Sequence, residues 1–135
     1  DLEPMVARCR TLADGAIDLL THDWKALATR RFDLVVAGLV LQHIEPTACR
    51  GFLADFARMA PVTYLLTRLQ SDFGLNVLGL VAESGLFDVE DCVEVEHDSE
   101  RDQLRSLGRR PFDAVSRATD GGHYEVVLRS RLPEA

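Results

Sequence analysis

The sequence FDLVVAGLVLQHI, residues 32–44, contains the longest apolar run of the chain, from Leu34 to Leu41. This run is too short for a typical helix and too continuous for a strand with one face in water. It therefore predicts a strand buried on both faces, as in a parallel sheet. A second run, residues 16–20, predicts another buried strand.

Segments with helical spacing alternate with these runs. Residues 3–12 predict a helix, and a second predicted helix starts at residues 45–47 and ends before Pro61, because proline cannot continue a helix. Residues 62–66 predict a third strand. Residues 75–84 predict a further helix, closed by Gly85, because glycine tolerates the positive φ of a helix C-cap.

The last third of the sequence has a different pattern. We predict a strand over residues 89–95, a short charged helix over residues 99–107 and a strand over residues 124–128, behind the turn signal Asp120-Gly121-Gly122. Residues 112–117 are a weaker candidate for a hairpin arm. The alternation of helices and strands predicts a mostly parallel α/β sheet with an antiparallel C-terminal strand.

Composition limits the class of protein. The 135 residues, 47% apolar and 27% charged, are typical of one globular domain over residues 1–135. A net charge of −7 argues against nucleic acid as a partner, and the longest apolar run is shorter than the roughly 20 residues that cross a membrane. Three cysteines without a CxxC pair predict reduced thiols, a cytoplasmic location and no metal site.

Three segments of the sequence resemble segments of class I S-adenosylmethionine-dependent methyltransferases, and they occur along the chain in the same order as in that family. Residues 32–44 resemble the fourth strand of that family, residues 1–8 (DLEPMVAR) the turn after its second strand, and residues 19–24 (LLTHDW) the end of its third. The segments cover the first third of the chain. The resemblance implies a Rossmann-like sheet with helices on both faces, of which the first strand and most of the second are missing here.

The resemblance also implies which residues contact the cofactor. Asp1 would hold the ribose hydroxyls of S-adenosylmethionine, Leu2 would pack beside the adenine, Asp23 and the backbone of Trp24 would read the adenine edge, and Ala37 and Gly38 would lie along the methionine portion. Each residue also has a simpler interpretation. Asp23, for example, could cap a turn, and Trp24 could be a packing residue.

His43 is the candidate catalytic residue. It follows the segment that resembles the fourth strand, at the end where the resemblance places the sulfur of the methyl donor, and histidine has an unperturbed pKa of about 6.5 that suits proton removal. In the alternative interpretation, residues 42–45 form only the turn into the next helix and His43 caps its backbone. Residues 71–76 and 97–119 are expected to face the substrate.

The chain departs from the family in one large respect, because the acid and the G-x-G-x-G loop that hold the cofactor occur nowhere in it. We therefore expect a missing N-terminal segment or a partner chain to complete the sheet, and the chain alone to be inactive. The expected activity is methyl transfer to a small-molecule acceptor, since the Asn/Asp-Pro-Pro-aromatic motif for amino groups is missing after residues 32–41. The alternatives are a non-catalytic, methyltransferase-like scaffold subunit and an unrelated small α/β domain.

Overall fold

The structure, a computed structural model, describes residues 24–101 and 103–132. The chain divides into two compact units, residues 1–30 and residues 31–135. The described part of the first unit contains one helix, α1 (Trp24–Ala28). Outside the described residues lie the predicted helix at residues 3–12, the predicted strand at residues 16–20, and Asp1, Leu2 and Asp23. The prediction of a single domain stays a prediction.

The described part of the second unit contains a mixed sheet of five strands, and this confirms the predicted α/β class. The strands are β1 (Leu34–Gly38), β2 (Val62–Arg68), β3 (Phe87–Asp98), β4 (Gln103–Arg109) and β5 (His123–Ser130), and the helices are α2 (Pro46–Met59), α3 (Val77–Ser84) and α4 (Phe112–Val115). The strand order is β1-β2-β5-β3-β4. No helix in the described part of the chain is long and apolar enough to cross a membrane.

The prediction of a mostly parallel sheet is wrong. Within the described residues β1 and β2 pair in parallel, whereas the other three strand pairs are antiparallel. The reason is that β5 returns between β2 and β3, antiparallel to both, and β4 folds back on β3 as a hairpin. The predicted antiparallel C-terminal strand is confirmed, and β1, β2 and β3 run in the same direction.

The helix predicted to end before Pro61 is confirmed as α2. The side chain of Glu45 caps its first turn by accepting a hydrogen bond of 2.7 Å from the backbone N–H of Ala48. Pro46 occupies the first turn, where its missing N–H leaves no helical bond unmade. The apolar positions that repeat every three or four residues become the buried face: Cys49, Leu53, Phe56, Ala57 and Met59.

The next predicted helix is confirmed as α3, which begins two residues later than expected. Asn76 caps it, because its Oδ1 accepts from the backbone N–H of Gly79 at 2.9 Å. The helix ends at the predicted residue, Gly85, whose φ of 67° is left-handed. Since α2 and α3 contact each other and both contact strands, they cover one face of the sheet. Helices on both faces therefore stay a prediction.

The core lies between these two helices and the sheet. Strands β2 and β5 place three residues each on the covered face, and all six are buried: Thr63, Leu65, Thr67, Tyr124, Val126 and Leu128. The other face is less covered, because its residues in both strands are half-buried or exposed except for Leu66 of β2. The core thus fixes the strands whose ends carry the candidate site.

The predicted helix over residues 99–107 is wrong, because residues 99–101 lie in a turn and residues 103–107 belong to strand β4. The carboxylate of Asp98 accepts from the backbone N–H groups of Glu100 and Arg101, which turns the chain back on β3. Arg105 then pairs with Glu96, directly opposite it on β3. Cross-strand pairs of opposite charge stabilise such a hairpin, and a single sequence read locally does not reveal them.

The prediction of a hairpin arm over residues 112–117 is also wrong. Residues Phe112–Val115 form the short helix α4 instead. Pro111 precedes the helix and its carbonyl accepts from the backbone N–H of Val115 at 3.1 Å. The loop after it is tied to α3, because the Asn76 side-chain amide donates to the carbonyls of Val115 and Ala118 at 2.8 and 2.9 Å.

Candidate functional site

The site is built from the chain that leaves the carboxyl end of β1. The predicted strand extended to residue 41, but β1 ends at Gly38 because Leu39 has a φ of 55°, which a strand cannot accommodate. A positive φ is uncommon for a residue with a side chain, and such strained positions cluster at functional sites. The backbone then forms a short 3-10 helix, Leu41–His43. This turn presents His43 at the edge of the sheet.

Two of the predicted cofactor contacts lie at the same strand end. Ala37 is buried in β1, whereas Gly38 is exposed, and a Cβ atom added to Gly38 would have no atom within 4 Å. The backbone at Gly38 therefore borders open space that a ligand could occupy. Trp24 is half-buried at the start of α1, in the other unit.

His43 is exposed and paired. Its side chain is 56% exposed, and its Nδ1 lies 2.8 Å from Oδ2 of Asp72. The first turn of α2 is capped by Glu45, so the cap does not use the imidazole. The hydrogen bond to Asp72 therefore uses Nδ1 and leaves the other ring nitrogen, Nε2, available on an exposed side chain.

Asp72 is held by two basic partners. Arg68, the last residue of β2, donates from Nη2 to Oδ1, while His43 contacts Oδ2. The hydrogen bonds to His43 and then to Arg68 lower the pKa of Asp72. An ionised carboxylate can only accept, so the proton of a neutral His43 ring sits on Nδ1. The lone pair of Nε2 has no partner among the described residues.

Gln42 fixes the turn that carries His43 against β2. Its side chain is only 4% exposed, and its Oε1 accepts from the backbone N–H of Arg68 at 3.3 Å and lies 3.2 Å from Thr67 Oγ1. Its backbone carbonyl accepts from the N–H of Asp72 at 2.8 Å. These two hydrogen bonds join the residues that follow β1 to those that end and follow β2, so His43 and Asp72 are held at a fixed separation.

Sequence reasoning singled out His43 as a candidate, but it did not single out the residues that position it. Gln42 directly precedes His43, whereas Asp72 lies 29 residues after it along the chain. Asp72 falls within the segment 71–76, which we expected to face the substrate. The usable signal was the pair Arg68 and Asp72, opposite charges four residues apart at the end of a predicted strand. The carboxyl ends of neighbouring parallel strands meet at one edge, which would have brought this pair to His43.

The opposite end of the same strands carries a cavity of about 370 Å³. Its lining includes Asp33 and Pro61, which precede β1 and β2, and Ser130 at the end of β5. It therefore lies at the amino ends of the parallel strands, away from His43 and Asp72. We place the candidate site at the carboxyl ends, because that is where open α/β sheets bind their ligands.

The thiols of the described residues do not offer a second reactive group. Cys49 and Cys92 are free and buried. Burial raises the pKa of both thiols, which keeps them protonated and weakly nucleophilic near neutral pH. Within residues 24–101 and 103–132, no group of three or more histidine, cysteine, aspartate or glutamate side chains is placed to hold a metal ion.

The arrangement can accept a proton from a bound molecule. His43 supplies a basic ring nitrogen on an exposed side chain, Asp72 fixes the ring and would stabilise the imidazolium, and Arg68 binds the other carboxylate oxygen of Asp72. Comparison with known proteins does not assign the chain to a family. No protein-family model, curated protein or solved structure matches the chain.

Proposed function

We propose that this chain is part of an S-adenosylmethionine-dependent methyltransferase that acts on a small-molecule acceptor, with His43 as the base. The observation that carries the proposal is the 2.8 Å hydrogen bond between His43 Nδ1 and Asp72, at the carboxyl ends of the parallel strands β1 and β2. Ligands of open α/β sheets bind at this edge. The resemblance of residues 32–44 to the family's fourth strand supports the identity of the methyl donor.

The proposal includes a Rossmann-like arrangement of the complete sheet. Strands β1, β2 and β3 run in the same direction, which supports it. The second edge of β1 pairs with no strand of the described residues. A missing N-terminal segment or a partner chain would supply the neighbouring strand, as the resemblance implies. Proteins rarely leave such an edge open to water.

The residues near the end of β1 are compatible with the cofactor. Ala37 and Gly38 would lie along its methionine portion, and the open space at Gly38 would let a ligand approach the backbone. When bound, S-adenosylmethionine supplies a methyl group on a positively charged sulfur, ready for in-line displacement. This chemistry depends mainly on holding the acceptor in line with the methyl carbon.

His43 and its partners would remove the acceptor's proton. Nε2 accepts it while Nδ1 keeps its hydrogen bond to Asp72, whose negative charge stabilises the imidazolium that forms. Arg68 holds the other carboxylate oxygen and keeps Asp72 from rotating away. Asp72 and Arg68 are thus positioning residues, and His43 is the group that touches the acceptor.

The test is calorimetric titration of S-adenosylmethionine into the protein encoded by the complete reading frame and into residues 1–135 alone. We expect the first to bind and the second to bind weakly or not at all, because residues 1–135 lack the glycine loop. Gly38→Val in the longer protein should weaken binding by at least roughly tenfold, about 1.4 kcal/mol. The fold should tolerate this change, since a Cβ at Gly38 meets no atom.

A matched control is Gly51→Ala, a second glycine whose added Cβ meets no atom, in the helix α2. This variant should bind the cofactor as the wild type does. Failure of the longer protein to bind the cofactor, or wild-type affinity in Gly38→Val, would refute the proposed site. Binding of the cofactor without transfer to any acceptor would favour the scaffold alternative.

A further inference from the structure

Exposed apolar residues are close neighbours of His43 and Asp72 along the chain. Eight large hydrophobic residues are exposed among the described ones, and three of them flank this pair: Val40 at 48%, Phe73 at 52% and Leu75 at 39%. Val40 contacts the turn directly, because its carbonyl accepts from the backbone N–H of His43 at 3.0 Å. Phe73 directly follows Asp72. We call Val40, Phe73 and Leu75 the apolar rim.

The loop that carries Phe73 and Leu75 is held by hydrogen bonds at both ends. The hydroxyl of Ser71 accepts from the backbone N–H groups of Phe73 and Leu75, at 3.1 and 3.2 Å, and the N–H of Ser71 donates to the carbonyl of Leu75 at 2.8 Å. Gly74 makes the tight turn with a φ of 77°. Binding residues occur disproportionately on loops that a rigid scaffold positions, and this loop exposes a phenylalanine.

The rim and the base recognise different parts of one molecule. Apolar side chains bind an apolar body, and a phenylalanine offers a ring face on which another aromatic ring can stack. A base is needed when the nucleophile holds its proton until it reacts, as a hydroxyl does. A neutral amine attacks through its own lone pair, and a carboxylate is already ionised. The combination therefore selects an apolar acceptor with a hydroxyl group.

We infer that the acceptor of the proposed methyl transfer is an aromatic hydroxyl compound whose ring packs against Phe73, Val40 and Leu75, with its oxygen at Nε2 of His43. A phenol suits this site better than an aliphatic alcohol, because a phenol with a pKa of about 10 gives up its proton to an imidazole far more readily. The O–H proton goes to Nε2, the oxygen forms a bond to the methyl carbon, and the carbon–sulfur bond breaks, leaving its electron pair on sulfur. The inference rests on the proposed function.

The first test measures acceptor binding, which requires no methyl transfer. The protein encoded by the complete reading frame is titrated with 2-naphthol and, separately, with ethanolamine, as an aromatic hydroxyl probe and a polar amine probe. We expect 2-naphthol to bind, and Phe73→Ala to weaken its affinity roughly tenfold through loss of the stacked ring. Leu132→Ala is the matched control, because Leu132 is also exposed but lines the cavity at the opposite ends of the strands.

The second test follows transfer itself, with saturating S-adenosylmethionine and detection of the methylated probe by mass spectrometry. Phe73→Ala should raise KM for 2-naphthol roughly tenfold, with little change in kcat or in cofactor affinity. No binding of 2-naphthol, equal affinity of Phe73→Ala and wild type, or methylation of ethanolamine in preference to 2-naphthol would overturn the inference while leaving methyl transfer intact. A protein that fails to bind the cofactor at all would instead overturn the proposed function and this inference with it.

Discussion

Two buried threonines on the same face of β2 should respond in opposite ways to replacement by valine. The hydroxyl of Thr67 donates to the carbonyl of Arg68 at 2.8 Å and lies 3.2 Å from Oε1 of Gln42, so it helps to hold the turn that carries His43. The hydroxyl of Thr63 is also buried and has no hydrogen-bond partner among the described residues. Valine keeps the branched shape and removes only the hydroxyl.

The magnitudes follow from what each hydroxyl loses on folding. Thr67→Val removes a satisfied hydrogen bond, which should lower the free energy of unfolding by about 0.5–1.5 kcal/mol. Thr63→Val removes a buried hydroxyl that has lost its hydrogen bonds to water, and this change should raise the free energy of unfolding by about 1–3 kcal/mol. The two variants should therefore differ by at least about 1.5 kcal/mol, with opposite signs relative to wild type.

Urea unfolding, followed by circular dichroism, measures both variants under the same conditions. The midpoints should move in opposite directions with an unchanged slope, because the area exposed on unfolding is the same. Equal destabilisation by both changes would contradict the assignment, since it would mean that Thr63 also has a partner in the folded protein.

The remaining predictions concern two glycines and one tyrosine. Gly79→Ala should destabilise the protein, because its Cβ would lie 2.9 Å from the backbone carbonyl oxygen of Ser116. Gly51→Ala should raise the free energy of unfolding by about 0.5–1 kcal/mol, since its Cβ meets no atom. Thermal unfolding measures both variants, and stabilisation by Gly79→Ala would contradict the close packing at Ser116. Burial, and then a hydrogen bond to Glu125, raises the pKa of Tyr64 to about 12. An unfolded tyrosine ionises near pH 10, so this group leaves stability unchanged below pH 10 and lowers it as the pH rises towards 12. The ultraviolet titration of wild type minus that of Tyr64→Phe should show this late ionisation, and a difference curve centred at pH 10 would exclude it.

The helices could be predicted from the sequence because their signals are local. The apolar spacing and Pro61 fix the extent of α2, and Gly85 fixes the end of α3, within two residues of the observed bounds. The end of β1 could not be predicted in this way. Leucine rarely takes a positive φ, so the sequence does not show that the strand stops before Leu39.

The hairpin of β3 and β4 depends on pairing, which local composition does not reveal. Residues 99–107 are rich in charge and resemble a surface helix, but Arg105 and Arg109 form ion pairs with acids of β3. The position of β5 between β2 and β3 likewise depends on tertiary contacts, and it makes most of the strand pairs antiparallel. Tertiary contacts of this kind override local propensity.

The candidate site could be predicted only in part, because some of its residues come together through tertiary contacts. His43 follows an apolar run, so its place at the end of a strand could be read from the sequence. Asp72 comes to it through the parallel pairing of β1 with β2, but the sequence, which predicts parallel strands, does not show that the loop after β2 brings its carboxylate to the imidazole. The buried role of Gln42 was missed because a glutamine at a turn is usually exposed.

The most direct test of the central claim is the effect of His43→Ala on methyl transfer by the protein that the complete reading frame encodes. We expect turnover to fall by roughly 10²-fold or more while the affinity for S-adenosylmethionine, measured by calorimetry on the same sample, stays near the wild-type value. Asp72→Asn should give a smaller loss of turnover, because the ring loses its charged partner. Wild-type turnover in His43→Ala, with the cofactor bound, would contradict the assignment of His43 as the base.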